Sequence, residues 1–338
     1  MREIRTQDAV GLVLAHDVTR IIPGEMKETP FQKGHVIREE DVEPLLKMGK
    51  MHLFVWEEDA SLIHENEAAG MLADLVAGAL PARGEVREGK VEIFAHMDGV
   101  LRVDKGRLSA LNDFDEVMVA TRHDLSPVRE GDKIAGTRII PLAISWQKMQ
   151  EVRATPAPVL QILPYLPLKA AVVTTGSEVF EGLVEDGFTP VVRRKLASFG
   201  AVECGHLTVP DNPDMATEAI LRMKKQGADV ICVTGGMSVD PDDRTPLAIK
   251  NTGARIVSYG APVLPGAMFL LAYFEDGAAV LGLPGCVMHS RVTIFDILLP
   301  RVMAGIEITK GSLNALAAGG LCQNCAHCIY PVCGFGAV

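Results

Sequence analysis

The chain has 338 residues, of which 48% are hydrophobic and 22% charged, and its formal net charge is -10. This length allows two or three domains with a sizeable core, and the composition excludes wholesale disorder. The negative charge argues against nucleic acid as the main partner, and without an apolar run of about 18 residues no membrane span is expected. Residues 1–5 lack the apolar core of a signal peptide, so we expect a cytoplasmic protein.

Short strands, turns and helices are predicted for the first 153 residues, from apolar periodicity and from glycine, proline and acidic punctuation. Nothing in this part is typical of a catalytic constellation, so we interpret it as a β-rich α+β scaffold or a dimer-contact region. Its predicted elements are strands over 10–18, 51–56, 91–95, 100–103, 117–121 and 133–140, and helices over 39–49 and 59–80.

A proline-rich segment follows, with prolines at positions 156, 158, 164 and 167. Such a segment sustains neither a helix nor a central strand, and residues 154–167 are therefore predicted to be an interdomain linker.

After the linker, short apolar strands alternate with longer helical stretches. This alternation indicates βαβ units, a parallel sheet and helices on both of its faces. The predicted strands are 169–174, 201–209, 228–232 and 278–282, and the predicted helices are 186–197 and 212–226.

The glycine pair Gly235-Gly236 joins a buried strand to a helix that is predicted to start near Pro246. Glycines let backbone N–H groups approach a ligand, and a helix start favours an anion, so this arrangement suits phosphate. Asp240, Asp242 and Asp243 lie in the same loop. Their carboxylates would repel a phosphate unless a hard cation such as Mg²⁺ bound between them. The alternative is a simple tight turn whose acids are only solvated.

Similar loops of glycine, hydroxyl and carboxylate groups follow the other predicted strands. They occupy 175–178, 210–212 and 283–286, besides the loop after the strand that ends near residue 232. Ligands of parallel sheets bind beyond the carboxyl ends of the strands, so we expect all four loops to converge on one site.

The motifs at 174–178, 209–211, 234–246 and 283–285 resemble those of the molybdopterin-binding domain. Molybdopterin adenylyltransferases, molybdenum insertases of gephyrin type and the N-terminal domain of competence/damage-inducible protein A share this domain. The resemblance covers about residues 168–305. It implies a three-layer α/β/α domain with a mixed, mostly parallel sheet, assembly into a homo-oligomer, and binding of the pterin phosphate or its adenylate with Mg²⁺.

Carried over to this sequence, the resemblance assigns roles to individual residues. It implies catalytic roles for Asp211 and Asp243, Mg²⁺ binding by Asp243 and Asp240, and molybdoenzymes as candidate protein partners. The cofactor-binding residues that it implies are Gly176, Ser177, Glu178, Gly235, Gly236, Ser238, Thr245, Pro284 and Gly285.

Two departures from the insertases bear on function. Cys286-Val287 stands where they have asparagine and proline, and Ala267 stands where they have a lysine. Residues 241–245 resemble the competence-protein group, which is linked to hydrolysis of nucleotide pyrophosphates. The resemblance therefore implies a molybdenum cofactor biosynthesis protein that is similar to a molybdotransferase, with a pyrophosphate hydrolase and a non-catalytic cofactor carrier or sensor as the alternatives.

Four cysteines close the chain in the spacing C-x2-C-x2-C-x4-C: Cys322, Cys325, Cys328 and Cys333. Clustered cysteines in a cytosolic chain indicate metal rather than disulfides. The C-x2-C-x2-C core is similar to ferredoxin-type iron–sulfur ligation, although the last gap is one residue longer. Zinc, with His327 as a substitute ligand, and the absence of any metal remain open.

Together these observations predict five segments in chain order. They are a small α+β region at 1–58 that resembles part of the insertase N-terminal region, a β-rich scaffold at 59–153, the linker at 154–167, the molybdopterin-binding domain at 168–305, and a Cys-rich metal-binding tail at 306–338.

Overall fold

The computed structural model of the chain describes residues 1–22, 26–56, 59–238 and 244–338. Asp240, Asp242 and Asp243 lie outside the described residues. The chain divides into two compact units. Unit 1 comprises 1–96, 103–121 and 131–161, whereas unit 2 comprises 97–102, 122–130 and 162–338.

The first half of the chain contains short strands and four helices. Their bounds are β1 Arg2–Arg5, β2 Val18–Ile22, β3 Met26–Phe31, α1 Glu39–Lys47, β4 His52–Val55, β5 Leu62–His64, α2 Glu65–Ala77, β6 Lys90–Phe94, β7 Gly99–Val103, α3 Lys105–Asn112, β8 Val117–Thr121, β9 Pro127–Val128, β10 Lys133–Ile139, β11 Ala143–Ser145, α4 Trp146–Arg153 and β12 Leu160–Pro164.

Unit 1 is built from small antiparallel sheets. β1 pairs with β4, β2 with β3, and β5 with β11, while β10 lies between β6 and β8. Helix α2 is apolar on the face that it buries, where Ala69, Leu72 and Val76 are fully enclosed. The β-rich α+β character expected for this region is thus present.

The second half of the chain has longer, regular elements. Their bounds are β13 Lys169–Thr175, α5 Ser177–Phe180, α6 Thr189–Ala197, β14 Val202–Val209, α7 Pro213–Lys225, β15 Val230–Thr234, α8 Thr245–Asn251, β16 Arg255–Tyr259, β17 Leu270–Tyr273, β18 Ala279–Leu283, α9 Cys286–His289, α10 Ile294–Met303 and α11 Lys310–Ala315.

Six of these strands form the central sheet of unit 2, in the order β14-β13-β15-β18-β17-β16. The first four strands are mutually parallel, and β17 and β16 are antiparallel additions. Alternate residues of β13 enter two separate cores. Val172 faces the core that contains α10, and Val173 faces the core that contains α7. Helices therefore cover both faces, and the expected three-layer α/β/α domain with a mixed, mostly parallel sheet is confirmed.

The chain after residue 305 packs into unit 2. Ile308, Leu313, Leu316 and Phe335 are buried in the same core as α10. Arg301 of α10 is also buried, and its guanidinium donates to the carbonyl oxygen of Gly336 at 3.1 Å.

Two predicted elements of the first half were wrong. The strand predicted over 10–18 is absent because Val13 and Leu14 make only isolated bridges, and the first ladder of this region begins at Val18. The helix predicted over 59–80 begins only at Glu65. His64 caps it by accepting the amide N–H of Asn66 on its Nδ1 atom at 3.1 Å.

No helix within the described ranges combines the length and the apolar character that crossing a membrane requires.

Candidate functional site

The carboxyl ends of four parallel strands lie side by side at one edge of the central sheet of unit 2. Thr175 is in register with Val209 of β14, and Thr234 with both Thr174 and Leu283. The loops that leave these strands are those whose composition predicted a ligand site. The structure therefore places them next to one another.

Reciprocal hydrogen bonds join the first two loops. The amide N–H of Ser177 donates to Oδ2 of Asp211 at 2.8 Å, and the amide N–H of Asp211 donates to Oγ of Ser177 at 3.2 Å. The Gly176 amide N–H donates to the Val209 carbonyl oxygen at 3.1 Å. Asp211 remains exposed, so its carboxylate is fixed in position and still accessible to a ligand.

The glycine loop packs directly against the end of β13. The Thr175 hydroxyl donates to the carbonyl oxygen of Thr234 at 3.1 Å, and so it accepts from the Thr245 hydroxyl, also at 3.1 Å. The Thr245 amide N–H donates to the carbonyl oxygen of Gly236 at 3.2 Å. Loop and helix start are thereby tied to one buried threonine pair.

Both residues of the glycine pair are required by this packing. Gly235 has φ +86°, and a Cβ there would stand 2.0 Å from the carbonyl oxygen of Thr175. Gly236 has φ +52°, and a Cβ there would stand 2.8 Å from Oγ1 of Thr245. A side chain fits at neither position, so the loop approaches β13 as bare backbone.

The remaining cofactor-binding residues of the prediction are more peripheral. Pro284 is buried at the end of β18, next to β15, whereas Gly285 is exposed. Glu178 is exposed on α5, and its Oε1 lies over Gly176. Ser238 is exposed, and its carbonyl oxygen accepts from the Tyr259 hydroxyl at 3.3 Å. The predicted acids Asp240 and Asp243 lie outside the described residues.

Asp186 is a residue of this edge that sequence reasoning did not single out. Its Oδ1 accepts the amide N–H groups of Phe188 and Thr189, at 2.8 and 3.0 Å. Its Oδ2 accepts from the hydroxyl groups of Thr189 and Thr174. Asp186 was interpreted as the first residue of a helix, but the helix starts at Thr189. The signal that could have found it is an aspartate followed by a glycine, because an aspartate side chain in a turn commonly accepts the N–H group two residues further on.

The surroundings of Asp186 fix its charge. Burial alone would raise the pKa of its carboxyl group, but the hydrogen bonds from Thr189, Phe188 and Thr174 outweigh burial and hold that pKa below the ordinary value. The neighbouring His206 has Nε2 within 3.3 Å of the Thr174 hydroxyl. Burial, assisted by the charge of Arg193, lowers the pKa of His206. At neutral pH the pair is therefore a carboxylate beside an uncharged imidazole.

A cavity of only about 10 Å³ opens between the first two loops and the start of α8. The described residues of this edge therefore enclose little space. A much larger cavity, of about 750 Å³, is lined by the four tail cysteines, and none of the predicted pterin residues lines it. The structure therefore separates the two sets of predicted ligands.

Comparison with known proteins assigns two parts of the chain. Residues 171–304 match a family model described as "probable molybdopterin binding domain". Residues 3–57 match a model described only as a domain of unknown function.

Three curated relatives are similar to parts of this chain. A molybdenum cofactor biosynthesis bifunctional protein of Synechococcus elongatus is 28% identical over 44% of this chain and 50% of its own length. A molybdopterin molybdenumtransferase of the same organism is 25% identical over 52% of this chain and 45% of its own length. A CinA-like protein of Mycobacterium tuberculosis is 38% identical over 23% of this chain and 18% of its own length. The chain thus spans half or less of the length of each of these three relatives.

Proposed function

Because residues 171–304 belong to the molybdopterin-binding domain family, we propose that this protein binds molybdopterin or its adenylate at the carboxyl edge of the central sheet of unit 2. Its role would lie in molybdenum cofactor biosynthesis or handling. The observation that carries this proposal is the contact between three strand-end loops through Ser177, Asp211, Thr175 and Thr245.

The geometry of the glycine loop supports a phosphate ligand. Gly235 and Gly236 have no side chains, so their backbone can contact an anion directly. Ser177 is half-buried and Ser238 is exposed, and hydroxyl groups donate readily to phosphate oxygens.

The acids of the edge support a divalent cation. Asp211 is exposed, and its position is fixed by its hydrogen bond from the Ser177 amide N–H. We propose that Asp211 and Asp243, with Asp240, hold Mg²⁺ against the phosphate oxygens, since hard cations prefer anionic oxygen ligands. The cation would neutralise charge that otherwise repels the ligand, and it would orient the phosphate for phosphoryl chemistry or metal insertion.

Two catalytic outcomes and one non-catalytic outcome fit this site. The molybdenumtransferase among the relatives favours a transferase-like step on bound molybdopterin. The CinA-like relative favours hydrolysis of a nucleotide pyrophosphate as the second candidate. A carrier or sensor would bind with the same residues and turn over neither substrate. Homo-oligomer formation, molybdoenzyme partners and a cytoplasmic location stay predictions.

The test is anaerobic equilibrium binding of molybdopterin to the full chain, with and without Mg²⁺. We expect Asp211→Asn to weaken the Mg²⁺-dependent affinity by about tenfold or more, because loss of an outer-shell partner already costs about that much in metal sites. The matched control is Asp276→Asn, since Asp276 is an exposed aspartate that pairs with Lys224. Equal affinity of both variants, or binding that ignores Mg²⁺, would contradict the proposal.

A further inference from the structure

The cavity of about 750 Å³ is lined by every cysteine of the C-terminal segment: Cys322, Cys325, Cys328 and Cys333. All seven cysteines of the chain lie within the described residues, and all are free thiols. The other three cysteines, Cys204, Cys232 and Cys286, do not line the cavity. The four cysteines of the C-x2-C-x2-C-x4-C motif therefore line one cavity, and the other three cysteines lie elsewhere.

Two of these four thiols are exposed, Cys325 and Cys328. Free cysteine is among the residue types most often buried, so a pair of exposed thiols on one short loop is unusual. Leu321 and Ile329 also line the cavity and are 62% and 56% exposed. Thiols and apolar side chains that share an open cavity indicate a ligand that would cover both.

The loop that carries the cysteines is held at both ends. The Cys322 amide N–H donates to the carbonyl oxygen of Leu264 at 2.9 Å, and the Tyr330 hydroxyl donates to the carbonyl oxygen of Asp296 at 2.9 Å. Between these anchors the Arg291 guanidinium donates to the carbonyl oxygen of Ala326 at 2.8 Å. The cysteine segment is thus tied to the rest of unit 2 without using any thiol.

A single metal ion and an iron–sulfur cluster require different separations between their thiolate ligands. A single zinc ion binds sulfur at about 2.3 Å, so its four tetrahedral ligands lie within about 4 Å of one another. Within the part of the chain that the structure describes, no three His, Cys, Asp or Glu side chains approach closely enough to hold one ion. A cluster inserts several metal and sulfide atoms between its thiolates, and it therefore suits cysteines that surround a cavity.

We propose that Cys322, Cys325, Cys328 and Cys333 bind an iron–sulfur cluster of ferredoxin type in this cavity. Four cysteine thiolates are the ligand set that such clusters take, and three of them follow the C-x2-C-x2-C spacing. In this chain the fourth ligand comes from the same loop, so one cluster is complete without a second.

The charges around the cavity suit a cluster whose thiolates give it a net negative charge. Arg291 lies in the cavity wall, and Arg301 is buried behind the residues around Cys333. The Nε atom of Arg301 has no hydrogen-bond partner among the described residues. Cations beside the site offset the negative charge, and apolar neighbours such as Phe335 limit water at the sulfur atoms.

The experiment is anaerobic reconstitution of the full chain with ferric iron, sulfide and a thiol that reduces half of the iron. We expect about four iron and four acid-labile sulfide atoms per chain, with broad visible charge-transfer absorption. The double variant C325S/C328S should lose most of both, because a four-ligand site stripped of two ligands loses most of its affinity. Cys204→Ser is the matched control and should load like the native chain.

A labelling experiment on the native chain makes the test independent of variant folding. Cys325 and Cys328 should react with a maleimide before reconstitution and be protected after it, while labelling of Cys204 stays unchanged. One zinc per chain without labile sulfide, or iron that remains in C325S/C328S, would overturn the cluster assignment. Unchanged labelling after reconstitution would overturn it as well. None of the residues proposed to bind the pterin lines this cavity, so failure of the cluster assignment would not affect the proposal of pterin binding, which is tested separately.

Discussion

Replacement of Gly235 by alanine tests the packing of the glycine loop against β13. One part of the expected loss of stability is conformational: Gly235 has φ +86°, and a left-handed conformation costs an L-residue about 1–2 kcal/mol. The steric term arises because the new Cβ would stand 2.0 Å from the Thr175 carbonyl oxygen, and overpacking of this kind costs about 1–3 kcal/mol. We therefore expect Gly235→Ala to lower the free energy of unfolding by about 2–5 kcal/mol.

Gly253→Ala is the matched control. Gly253 has φ +81°, close to that of Gly235, but a Cβ there has nothing within 4 Å. Its substitution should therefore carry only the backbone term, offset in part by the reduced entropy of the unfolded chain. The difference between the two variants isolates the steric term, at about 1–3 kcal/mol.

The assay is urea denaturation followed by peptide-resolved hydrogen exchange in β13 and β15. This readout is local to unit 2, whereas both tryptophans, Trp56 and Trp146, lie in unit 1. If Gly235→Ala and Gly253→Ala lose the same stability, the loop does not press on Thr175, and the site geometry described here is wrong.

Three further predictions concern the same unit. Asp243→Asn should lower any Mg²⁺-dependent turnover by about 100-fold, the scale of lost transition-state electrostatics. Unchanged turnover in this variant would contradict a role of Asp243 in holding Mg²⁺. Burial, with the charge of Arg193, lowers the pKa of His206 in the folded protein, so His206 takes up a proton on unfolding and the free energy of unfolding should fall as the pH drops below about 6.5. His206→Gln should flatten part of that fall when melting is measured as a function of pH. An unchanged profile in this variant would contradict the prediction. A fragment that starts at Pro167 keeps all four strand-end loops and should retain pterin affinity. It should melt at a lower temperature than the full chain, because it lacks the hydrogen bond from the Tyr165 hydroxyl to the Gly99 carbonyl oxygen. A folded fragment without affinity would show that the site needs the first half of the chain.

Sequence patterns predicted the parallel part of the central sheet and its loops well, because both depend on local composition. A buried parallel strand is a continuous apolar run, and β13, β15 and β18 are such runs, each closed by a glycine-containing loop. The glycine pair was interpreted as a place where backbone approaches a ligand, and the structure shows in addition that Gly235 lies against the backbone of Thr175. Sequence patterns did not identify the residue that Gly235 contacts, Thr175, because it lies 60 residues away in the chain.

Other features escaped prediction for physical reasons. Helix α10 is buried on every side, so its sequence lacks the amphipathic period that indicates a surface helix, and Pro300 lies inside it. Strands β16 and β17 pair antiparallel to their neighbours, which alternation of strands and helices does not predict. Asp186 was missed through a three-residue error in a helix start, and its hydrogen bond from the Thr174 hydroxyl is a tertiary contact that sequence patterns do not contain.

The central claim is that the strand-end loops of unit 2 form the molybdopterin site. Its most direct test is the hydrogen-exchange footprint of anaerobic molybdopterin with Mg²⁺ on the full chain. We expect slowed exchange in the segments around Ser177, Asp211 and Gly235, with little change in the segment from Cys322 to Cys333. Protection confined to that cysteine segment, or no protection at saturating ligand, would contradict it.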